Sequence, residues 1–385
     1  MEEWKTYRMG DLFTLEYGKP VNDKESLDGP VPVFGTNGQI GTSHLPPLCG
    51  HPSVILGRKG AYRGVHFSDR PFSVIDTAFY VEPISDAFDI KWLYYKLLTY
   101  DINNMDSGSA IPSTDRYQIY SLPIEVPPID AQREMVRVLD SLNDKIALNT
   151  RINHNLEEQA QALYKSWFVD FEPFKDREFV NSELGLIPKG WSIQPFLNIA
   201  KLCSGGTPKT DRKEFWNGSI PFFTPKDIGS STFCLSTEKR ITEDGLSNCN
   251  SVLYKAFTTF ITARGTVGKI CMAGTPMAMN QTNYAICPIS YIDDVVLFLI
   301  TKQLVNNLKN KANGAVFDAI TTRDFNGEMV LVAPHEIMDA FSAIVHPIYE
   351  CILQNEMNNA SLSFLRGTLL PKIMSGSLVF HEINS

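Results

Sequence analysis

The 385-residue sequence lacks the features of membrane and secreted proteins. No apolar run reaches 18 residues, and no apolar segment follows the acidic, aromatic start MEEWKTY, so we expect neither a transmembrane helix nor a signal peptide. The seven cysteines form no C-x-x-C pair and have no histidine at ligand spacing, so no metal site is predicted. With 43% hydrophobic and 20% charged residues, the chain is predicted to be a cytoplasmic protein with reduced thiols.

Catalytic motifs are missing as well. VPPI at 126–129 lacks both the amide and the aromatic ring of the Asn/Asp-Pro-Pro-aromatic motif of amino-methyltransferases. GTNGQIG at 35–41 does not match the dinucleotide-binding pattern, and GTVGK at 265–269 is too short for a phosphate-binding loop. TEKR at 237–240 approaches a nuclease motif but has no identifiable acidic partner strand, and H-E-x-x-H and G-x-S-x-G are absent. No catalytic residue and no cofactor bound by this chain are therefore predicted.

The sequence does contain a long helical pattern that occurs twice, at 128–168 and at 334–374. The two copies are 206 positions apart and align without a gap. Alternating steps of four and three residues give an apolar stripe with the 3.5-residue period of a coiled coil. In the first copy the stripe is Met135, Leu139, Leu142, Ile146, Asn149, Asn153, Leu156, Ala160, Leu163 and Trp167. In the second copy it is Phe341, Val345, Ile348, Ile352, Asn355, Asn359, Leu362, Arg366, Leu369 and Ile373.

The two stripes are predicted to pair with each other, and the asparagines fix their register. A buried amide at a seam needs another amide opposite it. If the helices are antiparallel and flush, Asn149 faces Asn359 and Asn153 faces Asn355. A parallel pair also matches the amides, and packing of each helix on its own domain is a further alternative. Pro347 is expected to kink or restart the second helix.

The segments that precede the two helices also resemble each other. VPVFGT at 31–36 resembles IPFFTP at 220–225, ILGRKGAYRG at 55–64 resembles ITARGTVGK at 261–269, and TAFYVEP at 77–83 resembles TNYAICP at 282–288. Short β-branched and aromatic runs broken by Gly, Pro and Asn indicate strands, and helices are predicted near 90–100 and 292–310. The predicted fold class is α+β: two mixed α/β domains separated by two long antiparallel coiled-coil helices, with an internal pseudo-twofold repeat.

The predicted boundaries are 1–127 for the first domain, 128–168 for its helix, 169–333 for the second domain, and 334–385 for the second helix and C-terminal tail.

The formal net charge of −8 argues against a nucleic-acid partner, but residues 169–333 carry 17 Lys and Arg against 16 Asp and Glu. Local basic clusters decide phosphate contacts, because exposed charges are screened at longer range. The candidate DNA-binding residues are Asn37, Arg58, Lys59, Arg63, Lys209, Arg212, Lys213, Lys226, Arg264, Lys269, Asn280 and Gln281.

Four motifs carry a resemblance to a known family. They are SGGTP at 204–208, EFWNGSIPFFTPKDI at 214–228, ARGTVGKICMAGTPMAMNQTNYAI at 263–286, and PPIDAQREMVRVLDSLNDKIALN at 127–149. Along essentially its whole length the chain resembles the specificity subunits of type I restriction-modification systems. The first domain carries variant forms of these motifs, and in the last helix IMDA at 337–340 replaces AQRE, so the usual Gln is missing there.

The resemblance implies a noncatalytic subunit whose two target-recognition domains each read one half of a split, asymmetric double-stranded DNA sequence. It implies that the helices separate the domains and dock two modification subunits, which bring S-adenosylmethionine and methylate adenine. Restriction subunits that use ATP and Mg²⁺ to translocate and cut DNA would join them. The alternatives are a self-sufficient DNA methyltransferase or nuclease with an unrecognised active site, and a protein-interaction scaffold.

Overall fold

The computed structural model describes residues 3–26, 28–105, 112–183, 185–264, 267–289, 291–311 and 320–378. The segments SGSAIPSTDRYQIYSLPIEVPP at 107–128 and NGAVFDAITTRDFNGEMVLVAP at 313–334, which also resemble each other, lie partly outside the described residues. So do GTVGK at 265–269 and the tail after residue 378. The chain divides into two compact units, residues 1–145 with 362–385, and residues 146–361. Within the described ranges, no helix is both long and apolar enough to cross a membrane.

The first unit contains three antiparallel or mixed sheets beside two short helices. Its strands are β1 (Lys5–Arg8), β2 (Phe13–Tyr17), β3 (Val31–Gly35), β4 (Gly38–Ser43), β5 (Ser53–Gly57), β6 (Val65–Ser68), β7 (Ser73–Val74), β8 (Ala78–Pro83) and β9 (Pro123–Val126). Its helices are α1 (Ile90–Leu97), α2 (Arg116–Ser121) and the first part of α3 (Ile129–Phe168). The sheet orders are β2-β8-β5-β6, β4-β3-β7 and β1-β9.

The second unit repeats this plan and adds a hairpin and further strands. Its strands are β10 (Phe179–Ser182), β11 (Gly185–Pro188), β12 (Ser192–Pro195), β13 (Ala200–Ser204), β14 (Trp216–Phe223), β15 (Phe233–Cys234), β16 (Lys239–Ile241), β17 (Thr259–Thr262), β18 (Ile270–Ala273), β19 (Ala278–Met279), β20 (Asn283–Pro288) and β21 (Met329–Val332). The helices are α4 (Glu243–Ser247), α5 (Asp294–Lys311), α6 (Thr322–Asn326) and α7 (His335–Met374), which ends in the first unit. The sheet orders are β13-β20-β17-β18-β15, β16-β14-β19, β12-β21 and β10-β11.

The predicted internal repeat is confirmed at the level of strand register. Phe13 pairs with Pro83 between β2 and β8, and Ala200 pairs with Pro288 between β13 and β20. Ala200 lies 187 positions after Phe13 and Pro288 lies 205 positions after Pro83, and the same two offsets hold along both ladders. The parallel pairings β3 with β7 and β14 with β19 correspond in the same way.

Alternation along the strands explains which face of each sheet is buried. In β2, Phe13 and Leu15 are fully buried, whereas Thr14 and Glu16 between them are half-buried. Successive strand residues point to opposite faces, so the apolar face packs on α1, where Trp92 is completely buried. Asp89 caps α1 by accepting hydrogen bonds from the N–H groups of Lys91 and Trp92, which fixes where that helix begins.

In the second unit, α3 and α7 run antiparallel. The Asn149 Nδ2 donates to Oδ1 of Asn359 (2.9 Å), and the Asn355 Nδ2 donates to Oδ1 of Asn153 (2.8 Å). These are the two pairs that the antiparallel alternative requires. Trp167, near the end of α3, packs on Phe341, near the start of α7, with ring centroids 5.3 Å apart.

In the first unit, the beginning of α3 meets the end of α7. Met135 and Leu139 share an apolar cluster with Ile373 and Met374. Arg366, the one polar break in the predicted stripe besides the asparagines, donates from Nη1 to Oδ1 of Asn143 (2.7 Å), so its guanidinium is hydrogen-bonded beside the seam. None of the twenty predicted seam positions, all of which the structure describes, is exposed.

The expectation that Pro347 restarts the second helix is wrong. α7 runs without interruption from His335 to Met374, through Pro347. Val345, Tyr349 and Ile352 on either side of the proline are completely buried. Because tertiary packing holds this turn, the loss of one backbone hydrogen bond at proline does not end the helix.

Candidate nucleic-acid interface

In the first unit, loops from five parts of the chain meet at one end of the four-stranded sheet. Backbone hydrogen bonds hold them together: Lys19 N–H donates to Val74 O (2.8 Å), Ile75 N–H to Phe34 O (2.9 Å), Arg58 N–H to Thr77 O (2.8 Å) and Thr114 N–H to Arg58 O (2.8 Å). The Thr36 hydroxyl adds a bond to the Lys59 carbonyl oxygen (2.8 Å). We call this assembly the first loop cluster.

The second unit builds the same assembly from the corresponding loops. Gly206 N–H donates to Met279 O (3.1 Å), Asn280 N–H to Phe223 O (3.0 Å), Ala263 N–H to Thr282 O (3.1 Å) and Ile320 N–H to Ala263 O (2.9 Å). Each bond is the repeat counterpart of one of the four backbone bonds in the first cluster. This second loop cluster therefore has the backbone of the first with different side chains.

A glycine is required where one of these loops crosses another. A Cβ atom on Gly18 would overlap the carbonyl oxygen of Ile75, and one on Gly205 would overlap the carbonyl oxygen of Met279. Gly18 and Gly205 are repeat counterparts that directly follow β2 and β13. Gly18 and Gly205 thus permit the close approach of two backbone segments in their clusters.

The register corrects one detail of the sequence comparison. Arg58 N–H donates to Thr77 O and Ala263 N–H donates to Thr282 O, so Ala263 is the counterpart of Arg58. Arg264 consequently corresponds to Lys59. An alignment of ILGRKGAYRG with ITARGTVGK by residue type places Arg58 opposite Arg264 instead. The strand pairing shows that this alignment is displaced by one residue.

The first loop cluster presents a basic and aromatic surface. The guanidinium carbon of Arg58 lies 4.8 Å from the ring centroid of Tyr17, and that of Arg116 lies 5.0 Å from the same ring. Arg58 also donates from Nη1 to the Asp76 carbonyl oxygen (3.0 Å). Tyr17 is 44% exposed, so both cations lie beside a solvent-exposed ring. Arg116 was not predicted from the sequence, because no basic neighbours mark it.

The second loop cluster presents exposed Lys226, Arg264, Lys269 and Gln281. The Thr207 hydroxyl donates to the side-chain oxygen of Gln281, so the amide NH₂ of Gln281 is the group that can act as a donor. Behind Lys269 lies a cavity of about 320 Å³ that is also lined by Lys302 and Lys309. These two lysines were not predicted from the sequence, because they lie on α5, far from Lys269 along the chain.

Two predicted DNA-binding residues have structural positions instead. Arg63 is 2% exposed, and its guanidinium donates to the carbonyl oxygens of Gly60, Ile102 and Asn103. Arg63 is not available to contact DNA as predicted, because its buried guanidinium closes the loop that follows β5. Asn280 accepts three hydrogen bonds at Oδ1 from Thr282 and Asn283 and so shapes its loop.

Of the other predicted residues, Lys59 is half-buried in the first loop cluster, and the following four are exposed. Asn37 lies in the turn between β3 and β4. Lys209, Arg212 and Lys213 lie in the connection between β13 and β14, where Trp216 Nε1 donates to the Lys209 carbonyl oxygen (3.2 Å). Arg212 forms an ion pair with Glu214 (3.2 Å).

The family model for the type I restriction modification DNA specificity domain matches residues 1–158 and 188–352. The chain belongs to this family. It is a DNA sequence-specificity subunit, and the family description names a specificity domain and not a catalytic one.

Relatives of the same family agree with this assignment. The chain is 27% identical over 308 residues to the MjaIX specificity subunit of Methanocaldococcus jannaschii, covering 77% of this chain and 71% of that protein. It is 24% identical over 465 residues to the HindI specificity subunit of Haemophilus influenzae, covering 98% and 100%. The fold is similar to that of the S subunit from M. genitalium, with a TM-score of 0.66, 15% identity and 96% of both chains covered.

In this specificity subunit, Gln132 of the AQRE motif binds within its own domain. It is completely buried, its Oε1 accepts from Asp89 N–H (2.7 Å), and its Nε2 donates to the carbonyl oxygens of Ala87 (2.9 Å) and Pro127 (2.8 Å). The counterpart Met338 is also buried, in an apolar cluster. The missing Gln of the second copy is therefore replaced by apolar packing at the base of α7.

Two carboxylates, one on each helix, bind the middle of α3 and α7 to the second domain. Glu356 of α7 accepts hydrogen bonds from the N–H groups of Thr232 (3.1 Å) and Phe233 (3.2 Å). Glu157 of α3 accepts from the hydroxyl of Thr232. Burial raises the pKa of Glu356 to about 7, although both N–H donors act in the opposite direction.

Proposed function

We propose that the two loop clusters are the DNA-reading surfaces, and that residues 1–127 and 169–333 each read one half of a bipartite, asymmetric site. The observation that carries this proposal is the repetition of the same four backbone hydrogen bonds under different exposed side chains. One backbone with two different sets of polar groups supports two readers with two different base preferences.

The chemistry of the exposed groups fits base edges and phosphates. Arg58 and Arg264 can donate hydrogen bonds to guanine, and Gln281 can form hydrogen bonds with adenine. Lys226 and Lys269 can contact phosphates. Lys302 and Lys309 would extend the phosphate contacts of Lys269. The net charge of −8 does not oppose this, because binding depends on the local cations at the clusters.

The proposal extends to partners. The paired helices α3 and α7 would dock two modification subunits that carry S-adenosylmethionine, and restriction subunits that use ATP and Mg²⁺ would join the same assembly. S-adenosylmethionine, ATP and Mg²⁺ would be bound by those partners and not by this chain. The modification partner is testable by co-expression, in which both proteins should purify together and methylate adenine only when both are present.

Charge-removal variants test the reading surfaces. In the assembled complex, Arg58→Ala with Lys59→Ala, and Arg264→Ala with Lys269→Ala, should weaken DNA binding. Each phosphate interaction that is removed should flatten the log–log salt dependence by about 0.9. Removal of a hydrogen bond to guanine should instead cost about 1–3 kcal/mol and relax one position of one half-site.

The matched control is Lys175→Ala with Lys189→Ala. These residues are exposed, lie outside the loop clusters and form ion pairs with Glu172 and Glu178. The control should leave affinity and salt slope unchanged. If both loop variants behave like this control, the loop clusters lie away from DNA and the proposal is refuted.

A further inference from the structure

The first unit brings together three side chains of the types that bind zinc, although cysteine spacing predicts no metal site. Cys49 and His51 lie in the connection between β4 and β5, and Glu82 lies in β8. Their ligand atoms all lie within 4.8 Å of one another. Cys49 is held there by two backbone hydrogen bonds with Phe72 (2.9 and 3.0 Å). Glu82 is at the opposite end of β8 from the first loop cluster.

Two of the three distances between the ligand atoms are close to the edges of a tetrahedral site, and the third is at most 4.8 Å. The Cys49 Sγ lies 3.7 Å from the His51 Nε2, which lies 3.2 Å from the Glu82 Oε2. Metal–ligand bonds of about 2.0–2.3 Å at tetrahedral angles separate neighbouring ligand atoms by about 3.3–3.7 Å. Small side-chain adjustments would therefore suffice to admit one ion.

The contact made by the other ring nitrogen of His51 orients the ring so that Nε2 can bind a metal. The His51 Nδ1 lies 3.0 Å from the Pro52 carbonyl oxygen, which can only accept a hydrogen bond. In the tautomer that is protonated at Nδ1 this contact is a hydrogen bond, as in many metal-bound histidines whose second nitrogen donates to a carbonyl. In neutral His51 the lone pair of Nε2 then faces the carboxylate of Glu82. A proton or a metal ion must lie between them, and the thiol of Cys49 supplies a third ligand for the metal.

The site can be reached from solvent. The side chains of His51 and Glu82 are 42% and 45% exposed, whereas Cys49 is buried. An ion can thus enter from the exposed side, and a water molecule can complete a fourth position. A set of one thiolate, one imidazole and one carboxylate favours zinc over the hard cations Mg²⁺ and Ca²⁺.

We propose that Cys49, His51 and Glu82 bind one Zn²⁺ ion, which ties the connection between β4 and β5 to β8 in the first domain. On binding, the thiol of Cys49 loses its proton to solvent and the sulfur bonds to the metal. The ion would lie away from the first loop cluster, so its expected effect is on the stability of the first domain.

The second domain lacks these ligands at the corresponding positions. The bridge between Cys49 and Phe72 has its counterpart between Tyr254 and Met277, so Tyr254 stands where Cys49 does. By the same register, Ala256 replaces His51 and Cys287 replaces Glu82. Cys287 and its neighbour Cys203 are thiols of the second domain that could mimic metal binding, and they provide the control.

The experiment uses the full chain, stripped of metal by a chelator and titrated with Co²⁺ as a spectroscopic substitute for Zn²⁺. Wild type should bind one equivalent with a thiolate-to-cobalt charge-transfer band, and Zn²⁺ should abolish the band. Cys49→Ser should lose the band, and His51→Gln and Glu82→Gln should lose stoichiometric binding. The control, Cys203→Ser with Cys287→Ser, should keep both. Zn²⁺ should also raise the Tm of wild type and of the control, but not that of Cys49→Ser.

A band that survives in Cys49→Ser, or that disappears in the control, overturns the assignment. Absence of one-equivalent binding in wild type also overturns it and leaves a His51–Glu82 ion pair. If circular dichroism shows that Cys49→Ser does not fold, His51→Gln decides, because that side chain is partly exposed and its replacement leaves no cavity.

Discussion

The seam amides allow a sharp test of the pairing between α3 and α7. Asn149 is 1% exposed, and its Nδ2 donates to Oδ1 of Asn359. In Asn359→Leu, this donor remains buried and loses its partner. An unsatisfied buried donor costs about 1–3 kcal/mol, so the free energy of unfolding should fall by about that amount. Asn149→Leu should destabilise less, because Asn359 is only half-buried and also donates to the hydroxyl of Thr150 (3.4 Å).

The double variant should recover much of the stability. Asn149→Leu with Asn359→Leu replaces both amides by apolar side chains like those along the rest of the seam, and such paired replacements are nearly neutral. The double-mutant cycle should therefore give a coupling free energy of about 1–3 kcal/mol. Urea unfolding of the full chain, followed by the helical circular dichroism signal, measures each value.

Asn358→Leu is the matched control, because Asn358 neighbours Asn359 in α7 but is exposed. Combined with Asn149→Leu, it should be additive within about 0.5 kcal/mol. If Asn359→Leu costs no more than Asn358→Leu, or if the cycle with Asn149 shows no coupling, the amides do not meet across the seam. The antiparallel pairing derived from them would then be refuted.

Three further predictions test other parts of the structure. Gln132→Met should destabilise the first unit by about 2–4 kcal/mol in urea unfolding, because it removes the partners of three backbone groups, of which the Pro127 carbonyl is buried and the other two are partly buried. Met338→Leu should cost under about 1.5 kcal/mol, and equal costs would contradict the anchoring role of Gln132. Because the folded pKa of Glu356 is about 7 against 4.5, its contribution to stability should be present below pH 4.5 and be lost as the pH rises through 7. Glu356→Gln keeps only one of the two acceptor oxygens, so it should be less stable than wild type at pH 4, and this deficit should shrink as the pH rises to 8; a difference that does not vary with pH would contradict the raised pKa. A fragment of residues 1–180 should form a homodimer in sedimentation, since Asn149 of one copy can face Asn153 of the other, and with its modification subunit it should methylate an interrupted palindrome; a strictly monomeric fragment would count against the pairing.

The helices and the repeat could be predicted from the sequence because both depend on periodic patterns. Heptad spacing fixes which side of α3 and α7 is buried, and a shared Asn pair fixes the register. The direction of pairing could not be decided from the amides, because parallel and antiparallel helices both match them. Contacts at the ends, such as Trp167 on Phe341, distinguish the two.

The candidate DNA-binding surface could be predicted only in part, because the function of a basic residue depends on its surroundings. Arg58 and Arg63 belong to the same short loop, yet Arg58 lies beside an exposed tyrosine and Arg63 is buried among carbonyl oxygens. Cys49 and Glu82 are far apart in the sequence and meet only because β8 passes the β4–β5 connection. Residue type alone could not separate these environments, since tertiary structure creates them.

Under the proposed function, the two loop clusters would let one fold serve two different half-sites. Four backbone hydrogen bonds and a crossing glycine hold each cluster, and none of these interactions depends on the identity of an outward side chain. Arg58 and Lys59 in one domain can therefore differ from Ala263 and Arg264 in the other while the scaffold is kept. Substitutions at exposed positions such as Arg264 should change which bases are preferred at little cost in stability, because exposed substitutions away from buried partners usually alter it by under about 0.5 kcal/mol. Sequence recognition in this chain can thus diverge between the two halves while the paired helices and the sheets stay the same.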